Sequence, residues 1–234
     1  MSEMPVEKNA PEEGLWQVSW QDISKSYGKR RFLSGISGSA TAPGSYGLTG
    51  KSGSGKTTFL RLLMGLEKPD TGRFLWERIR QASDQAGPSG KTAAFPRAAA
   101  VFQEDRLCEA FTAEENIRLI LKKGGPGREE IRRELLSVLP EDCLLKPVGK
   151  LSGGQKRRVA VVRAMIAPDA DYIVLDEPFT GLDAQTKERV IAYIKERKRD
   201  RLLFIAAHEA EEFRAFSIAP QNLLSFSSVS ENEE

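Results

Sequence analysis

The clearest candidate binding site in the sequence is a glycine-rich segment that ends on a lysine and two threonines. Residues 50–58 read GKSGSGKTT, which fits the spacing G-x-x-x-x-G-K-S/T of a phosphate-binding loop. Glycines let the backbone curl so that successive N–H groups point at phosphate oxygens, and the following helix adds its positive end. The pattern predicts a nucleoside triphosphate site, with Lys56 at the β- and γ-phosphates and the Thr57 hydroxyl on Mg²⁺. The residues predicted to contact the nucleotide here are Gly50, Ser52, Gly53, Gly55, Lys56, Thr57 and Thr58.

Two adjacent carboxylates follow an apolar run later in the chain. Residues 172–175 read YIVL, and Asp176 and Glu177 come directly after them. Sheets of α/β proteins place ligands at the carboxyl ends of their strands, and neighbours along a strand point to different sides. The pattern predicts that Asp176 serves Mg²⁺, directly or through water, and that Glu177 is the general base for an attacking water. The plain alternative is that both acids only solvate a strand end.

A phosphate loop with carboxylates would equally describe a kinase or a GTPase, and residues 151–155 decide between these classes. This segment reads LSGGQ and resembles the signature of the nucleotide-binding domains of ABC proteins. A serine and two glycines at a helix start can receive a γ-phosphate, although an ordinary helix N-cap has the same composition. The resemblance implies that Ser152, Gly153 and Gly154 contact ATP held by a second copy, so that hydrolysis requires two domains facing head to tail.

Four further positions match this family one by one. Tyr27 resembles the aromatic residue that stacks on adenine, and Gln103 resembles the glutamine that reaches Mg²⁺ and the attacking water. Asp183, in a Gly-Leu-Asp triplet, resembles the loop that crosses the dimer seam. His208, the single histidine, resembles the switch histidine that bonds the γ-phosphate and holds Glu177 in register. Each position also has a structural alternative. Tyr27 would be an aromatic residue in a strand core, and Gln103 an ordinary polar residue at a strand end. Asp183 would be a helix cap, and His208 a structural histidine.

The composition is that of an ordinary globular protein and excludes several other classes. The 234 residues are 40% hydrophobic and 29% charged with a net charge of +2, so no strong field indicates a nucleic-acid binder. Basic runs such as 156–158 are expected on solvated surface. The two cysteines lack metal-ligand spacing and favour a reducing compartment. No apolar run approaches the roughly 18 residues that span a bilayer, and the polar amino terminus does not resemble a signal peptide.

The elements around the motifs predict an α/β fold, namely a P-loop NTPase core of mainly parallel sheet flanked by helices, with an antiparallel β part near the start. Edge strands are predicted over 16–27, a strand over 44–50 that feeds the loop, a helix over 57–66, and buried strands at 98–102, 172–175 and 202–206. One domain is expected over 15–226, between a loose tail at 1–14 and an acidic tail at 227–234. Residues 81–97 are predicted to form an exposed connection.

A small helical lobe, at about 104–150, is predicted to be inserted into this core. Its first helix follows a capping box of Thr112 and Glu115 and carries Ile117, Ile120 and Leu121. After the break at 124–127, a second helix is predicted to turn one apolar face inward, formed by Ile131, Leu135, Leu136 and Leu139. The helix that follows the signature is expected to point Val159, Val162 and Ile166 inward, with Arg157, Arg158 and Arg163 elsewhere.

The resemblance covers about residues 16–215 and implies a Mg²⁺-dependent, ATP-hydrolysing transporter subunit on the cytoplasmic face of the membrane. The implied partners are a transmembrane permease, a second ATPase copy in a homodimer and, for an importer, an external solute-binding protein, with no nucleic acid. Residues 104–111 are the implied contact with the permease. Residues 101–107 are similar to importers of nitrate, taurine and other sulfonates, which favours uptake. The alternatives are a non-transport ABC ATPase and, less in keeping with the signature, a P-loop kinase.

Overall fold

The computed structural model describes residues 14–79, 95–122 and 124–227. All of the two predicted tails except Gly14 and Ser227, and most of the connection predicted over 81–97, lie outside these ranges. In chain order the strands are β1 (Leu15–Tyr27), β2 (Arg30–Thr41), β3 (Ser45–Thr49), β4 (Thr71–Ile79), β5 (Ala98–Val101), β6 (Tyr172–Asp176), β7 (Leu202–Ala206) and β8 (Leu223–Ser225). The α-helices are α1 (Lys56–Leu63), α2 (Ala113–Arg118), α3 (Arg128–Leu136), α4 (Gly153–Ile166), α5 (Ala184–Lys198) and α6 (Ala210–Ala215). Within the described residues, no helix has the length and apolar character needed to cross a bilayer.

The amino-terminal part is an antiparallel sheet in the order β2-β1-β4. The prediction of edge strands over 16–27 is therefore wrong in one respect, because β1 pairs with β2 and β4 and is the central strand of this sheet. Its side chains alternate, and Trp16, Val18 and Trp20 point into the core. Trp20 meets Phe59 of α1 edge to face at 5.3 Å between ring centroids. This sheet therefore packs against the first helix after the phosphate loop.

The second sheet is parallel and runs in the order β5-β6-β7-β3-β8. Strands β6 and β7 are buried along their whole length, as the continuous apolar runs predict. The register pairs Val101 with Leu175, and Ala206 with both Asp176 and Leu48. Because parallel strands end at a common edge, the segments that follow β3, β5, β6 and β7 lie side by side. The predicted α/β class, with its separate antiparallel part, is confirmed.

The helical lobe is present, but its helices differ from the prediction. Thr112 and Glu115 form the predicted capping box, yet α2 ends at Arg118. The amides of Ile120 and Leu121 bond three residues back instead of four, and this tightening leaves Ile120 43% exposed. In α3, Ile131 and Leu135 are buried, but Leu136 is 39% exposed. Adjacent helix positions point about 100° apart, so Leu135 and Leu136 cannot share one buried face.

Candidate active site

The phosphate loop connects β3 to α1 and is shaped by glycines in the left-handed region. Gly53 and Gly55 have φ of +74° and +102°. A Cβ on Gly55 would lie 2.8 Å from the carbonyl oxygen of Phe32, so glycine is required by space as well as by φ. Lys56 is only 4% exposed, and its Nζ donates to the carbonyls of Gly50 at 2.8 Å and Lys51 at 3.1 Å. The loop therefore holds the ammonium group close to its own backbone.

Thr57 and Asp176 bring the start of α1 into contact with the end of β6. The Thr57 hydroxyl donates to Asp176 Oδ2 at 2.8 Å. Asp176 is 4% exposed, and its Oδ1 is buried with no hydrogen-bond partner among the described residues. A hydroxyl and an unsatisfied carboxylate oxygen are the hard donors that Mg²⁺ takes, together with phosphate oxygens. Thr57 and Asp176, two of the three residues predicted at the metal, therefore fit that ion, and the metal role of Gln103 stays a prediction.

Burial also changes the acidity of Asp176. Desolvation raises the pKa of this carboxyl group above its ordinary value, and the nearby Glu177 acts in the same direction. The hydrogen bond from Thr57 and the charges of Lys56 and Arg157 oppose the rise. The ionised form is thus disfavoured in the protein alone, which a bound cation would reverse.

Asp176→Asn is expected to stabilise the protein in the absence of metal. Because the pKa of Asp176 is raised in the folded protein, folding favours its neutral form. At a pH above the ordinary pKa of aspartate, burial of the charged carboxylate costs free energy that burial of an amide of the same shape does not cost. A gain of about 1 kcal/mol, the scale for an unpaired buried polar group, would raise Tm by about 2–4 °C. Thermal unfolding in EDTA at neutral pH measures it. The gain should shrink as pH falls and wild-type Asp176 takes up a proton.

The control for this variant is Asp70→Asn. Asp70 is exposed, and hydrogen bonds from Ser26 and Lys25 hold its pKa below the ordinary value, so removing its charge should not raise Tm. Asp176→Asn should also lose any stabilisation that Mg–ATP gives the wild type. A lower Tm of Asp176→Asn than of the wild type in EDTA would contradict the assignment of Asp176 as a desolvated carboxylate that binds a metal ion.

Glu177 and His208 meet at the ends of β6 and β7. The Nε2 atom of His208 lies 2.7 Å from Oε1 of Glu177. Glu177 has a φ of +51°, which a side chain rarely adopts, and its N–H donates to the carbonyl of Ala206 at 3.0 Å. This bond to β7 turns the glutamate away from the direction of the strand. The structure thus brings together the predicted base and the predicted switch histidine, and strained backbone of this kind is common at functional sites.

The signature segment begins α4 and packs against the Gly-Leu-Asp triplet. Ser152 is the N-cap, and with Gln155 it forms a capping box. Asp183 caps α5 by accepting from the Thr186 amide at 2.9 Å. A Cβ on Gly154 would lie 2.8 Å from the Gly181 carbonyl oxygen, so the two loops touch. Ser152 and Asp183 therefore play the structural cap roles that the sequence left open, and the phosphate and dimer roles stay predictions.

Ser152 nevertheless keeps the features of an anion receptor. Its hydroxyl acts as acceptor in the cap, so the O–H hydrogen stays available for a ligand. Ser152 and Gly153 are exposed, and no atom lies within 4 Å of the Cβ position on Gly153. Within the described ranges no hydrogen bond or ion pair joins these residues to the phosphate loop. The site built by one copy therefore comprises the loop, the carboxylates and His208, but not the signature.

Tyr27 and Gln103 occupy the borders of this site. Tyr27 ends β1, is 42% exposed, and packs edge to face on Phe32 at 5.3 Å between ring centroids. Its hydroxyl is bonded to Glu67, a partner that the sequence did not indicate. Gln103 follows β5 beside the end of β6, is exposed, and forms no side-chain hydrogen bond among the residues described. Both lie where a ligand at the sheet edge could reach them, and their roles stay predictions.

Sequence reasoning did not identify Arg157 as a functional candidate, and its prediction that this residue lies on solvated surface is wrong. Arg157, in the basic run expected on solvated surface, is buried at 7% exposure. Its guanidinium donates to the carbonyls of Phe102 and Gln103, the latter at 2.6 Å. The burial could have been noticed from spacing, since Arg157 lies on the same face of α4 as Ala160 and Val161, three and four residues further on.

Comparisons with known proteins agree with this geometry. The family model described as "ABC transporter" matches residues 33–180. Nod factor export ATP-binding protein I of Burkholderia orbicola is 34% identical over 204 residues, covering 83% of this chain and 64% of that protein. Methionine import ATP-binding protein MetN of Caulobacter vibrioides is 33% identical over 205 residues, covering 84% of this chain and 61% of that protein. The chain thus spans less than two thirds of the length of these relatives.

Solved structures show the same fold. A dimeric ATP-binding cassette, MJ0796, in a post-hydrolysis state bound to ADP and phosphate, superimposes with a TM-score of 0.70 at 23% identity, covering 93% of this chain and 97% of the other. A bacterial Atm1-family exporter with ATP bound also gives a TM-score of 0.70 at 23% identity, over 95% of this chain and 40% of the other.

Proposed function

Because this chain belongs to the ABC transporter family, we propose that it binds and hydrolyses Mg–ATP and thereby powers solute transport through a separate membrane permease. The observation that carries the proposal is the single sheet edge at which Lys56, Thr57 with Asp176, and Glu177 with His208 meet. Phosphoryl transfer to water needs a cation at the phosphates, donors that hold the metal and a base for the attacking water, and these residues supply all three.

In this proposal, the amide groups of residues 50–58 and the start of α1 receive the phosphates, and Lys56 exchanges its loop carbonyls for phosphate oxygens. Asp176 and Thr57 would hold Mg²⁺, which supplies neutralisation of the phosphate charge when bound. Tyr27 stacks on the adenine, at the end of β1 beside the loop. The backbone of the loop is already curled, so little reorganisation is needed when the nucleotide arrives.

Hydrolysis depends on Glu177 accepting a proton from the attacking water. Without nucleotide, the contact between His208 Nε2 and Glu177 Oε1 occupies an oxygen of this carboxylate. A γ-phosphate would compete with Glu177 for the hydrogen bond from Nε2. When Nε2 donates to the phosphate instead, the glutamate is free to accept a proton from water. Gln103, whose side chain makes no hydrogen bond among the described residues, would reach Mg²⁺ and help to hold that water. His208 thus ties the state of the base to the presence of ATP.

Two copies complete each site in the proposed mechanism. The exposed Ser152 and Gly153, with the free hydroxyl hydrogen, close on the γ-phosphate held by the other copy. We propose that Asp183 is at the seam, and the packing of its loop on the signature through Gly154 and Gly181 supports this. Binding of two ATP molecules closes the dimer, and repulsion between the products of hydrolysis reopens it.

The permease is proposed to dock beside β5, the edge strand of the parallel sheet. A groove of about 520 Å³ lies there, and its apolar lining includes Leu66, Phe102 and Ile120. Arg163 also lines this groove and donates to the carbonyl of Arg106 at 2.8 Å, within the segment 104–111. A cytoplasmic segment of the permease in this groove would contact Arg163, which holds the segment that follows Gln103. The chain would then sit on the cytoplasmic face of the membrane.

The direction and cargo of transport are proposed from likeness alone. We favour import with an external solute-binding protein, because residues 101–107 are similar to importers of nitrate, taurine and other sulfonates. The relatives named above include one import and one export protein, so they support transport in either direction.

The test is purification of the tagged chain from detergent-solubilised membranes of its own cell, followed by an ATPase assay. The expected result is a complex with a polytopic membrane protein and Mg²⁺-dependent release of phosphate. Co-purification with nucleic acid or ribosomes instead would favour a non-transport ABC ATPase. Absence of ATP hydrolysis in the intact complex would overturn the enzymatic part of the proposal.

A further inference from the structure

Arg157 joins the signature helix to the segment that carries Gln103. It lies in the second turn of α4, which begins directly after Ser152. One guanidinium nitrogen donates to the Phe102 carbonyl and the other to the Gln103 carbonyl at 2.6 Å. Asp105 Oδ1 lies 3.2 Å from Nη1 as an ion pair and has no hydrogen-bond partner among the described residues. Three groups of the segment that follows β5 thus face one buried side chain.

The burial of Arg157 makes these contacts necessary. A guanidinium at 7% exposure must be compensated by acceptors, since an unpaired buried charge is strongly unfavourable. The carbonyls of Phe102 and Gln103 are those acceptors, and the carboxylate of Asp105 adds an ion pair. The segment that Arg157 holds follows β5, whose Val101 pairs with Leu175, the residue before Asp176. Arg157 therefore fixes the backbone of Gln103 beside the strand that carries Asp176.

Resting on the proposed ATP hydrolysis, we propose that Arg157 is a positioning residue that fixes Gln103 relative to Asp176 and so sets the metal affinity of the ATP complex. The planar fork of arginine matches two neighbouring carbonyls, whereas a lysine ammonium on a flexible stem cannot hold both in one geometry. The sequence pattern of the signature gives no reason for an arginine here, but the structure does.

This arrangement also links the two halves of the composite site. Ser152 and Arg157 are on one helix and about 8 Å apart along its axis, so they move as one body. When Ser152 meets a nucleotide on the second copy, α4 transmits any shift to the Gln103 backbone through the Arg157 guanidinium. Arrival of the second copy would thereby adjust the metal side of the site in the first one.

The test is a double-mutant cycle that measures Mn²⁺ affinity instead of turnover. All variants carry Glu177→Gln to suppress hydrolysis, and Mn²⁺ binding to the ATP complex is followed by EPR spectroscopy. We expect Arg157→Gln and Gln103→Ala each to weaken Mn²⁺ binding about tenfold, and the double variant to be no weaker than either, because both act on one interaction. Arg157→Lys should recover part of the loss, and metal-free ATP affinity should stay within about twofold.

The matched control is Arg163→Gln. Arg163 is on the same helix and also donates to carbonyls of this segment, but to Asp105 and Arg106 beyond Gln103. It should change Mn²⁺ affinity by less than about twofold. Additive losses in the cycle, or an equal loss in Arg163→Gln, would overturn the proposal. If Arg157→Gln does not fold, Arg157→Lys and its cycle with Gln103→Ala decide. A wild-type chain that binds no ATP would instead refute the proposed function on which this inference rests.

Discussion

Glu177→Gln is expected to lower kcat by about 10²–10⁴-fold, the contribution of a general base, while ATP binding is retained. The amide keeps the size of the side chain and can still contact His208, but it cannot take a proton from water. Because ATP then persists in the site, the closed dimer should accumulate. Single-turnover hydrolysis and size-exclusion chromatography with Mg–ATP measure the two effects.

The control for this variant is Glu211→Gln, which removes an exposed carboxylate of α6 that pairs with Arg214. It should leave turnover unchanged, since exposed ion pairs contribute little. A His208→Ala variant should also lose activity, because the contact that ties the glutamate to the γ-phosphate is gone. Hydrolysis at the wild-type rate by Glu177→Gln would remove Glu177 from its role and leave the sheet edge as a binding site alone.

The sequence predicted those features that local patterns encode. The loop at 50–57, the capping box at Thr112 and the buried strands β6 and β7 each depend on neighbouring residues and appear where the patterns place them. The meeting of Asp176 with Thr57 could also be anticipated, because parallel strands share one edge. The chemistry of a site at strand ends follows from residues that are far apart in sequence but adjacent in this simple topology.

Other features depend on tertiary contacts that no local pattern carries. Arg157 is buried because β5 ends beside α4 and offers its carbonyls there, which a basic run in the sequence does not reveal. Tyr27 meets Glu67 through the packing of β1 on the end of α1. The end of α2 at Arg118 follows from the tightening of its last turn. These three features concern polar groups or the end of a helix, where tertiary partners decide more than local propensity does.

The dual duty of Ser152 permits an experiment that separates its cap from its phosphate role. Ser152→Asp keeps an N-cap of equal strength but places a negative charge where the γ-phosphate of the second copy would arrive. We expect hydrolysis to fall by about 10²-fold or more, through repulsion at a site built to receive an anion, with Tm unchanged. Ser152→Asn, a neutral cap, should fall much less. Steady-state phosphate release and thermal unfolding measure both.

Mixing this variant with a second one then tests whether two copies build each site. Lys56→Ala removes the buried ammonium and should lose hydrolysis by about 10²-fold or more, whereas Lys51→Ala, in the same loop but exposed, should not. A heterodimer of Lys56→Ala and Ser152→Asp has one site with an intact loop and an intact signature, and one with neither. Random pairing should therefore restore about a quarter of the wild-type rate. A mixture no more active than its separate components would mean that one copy holds the nucleotide alone.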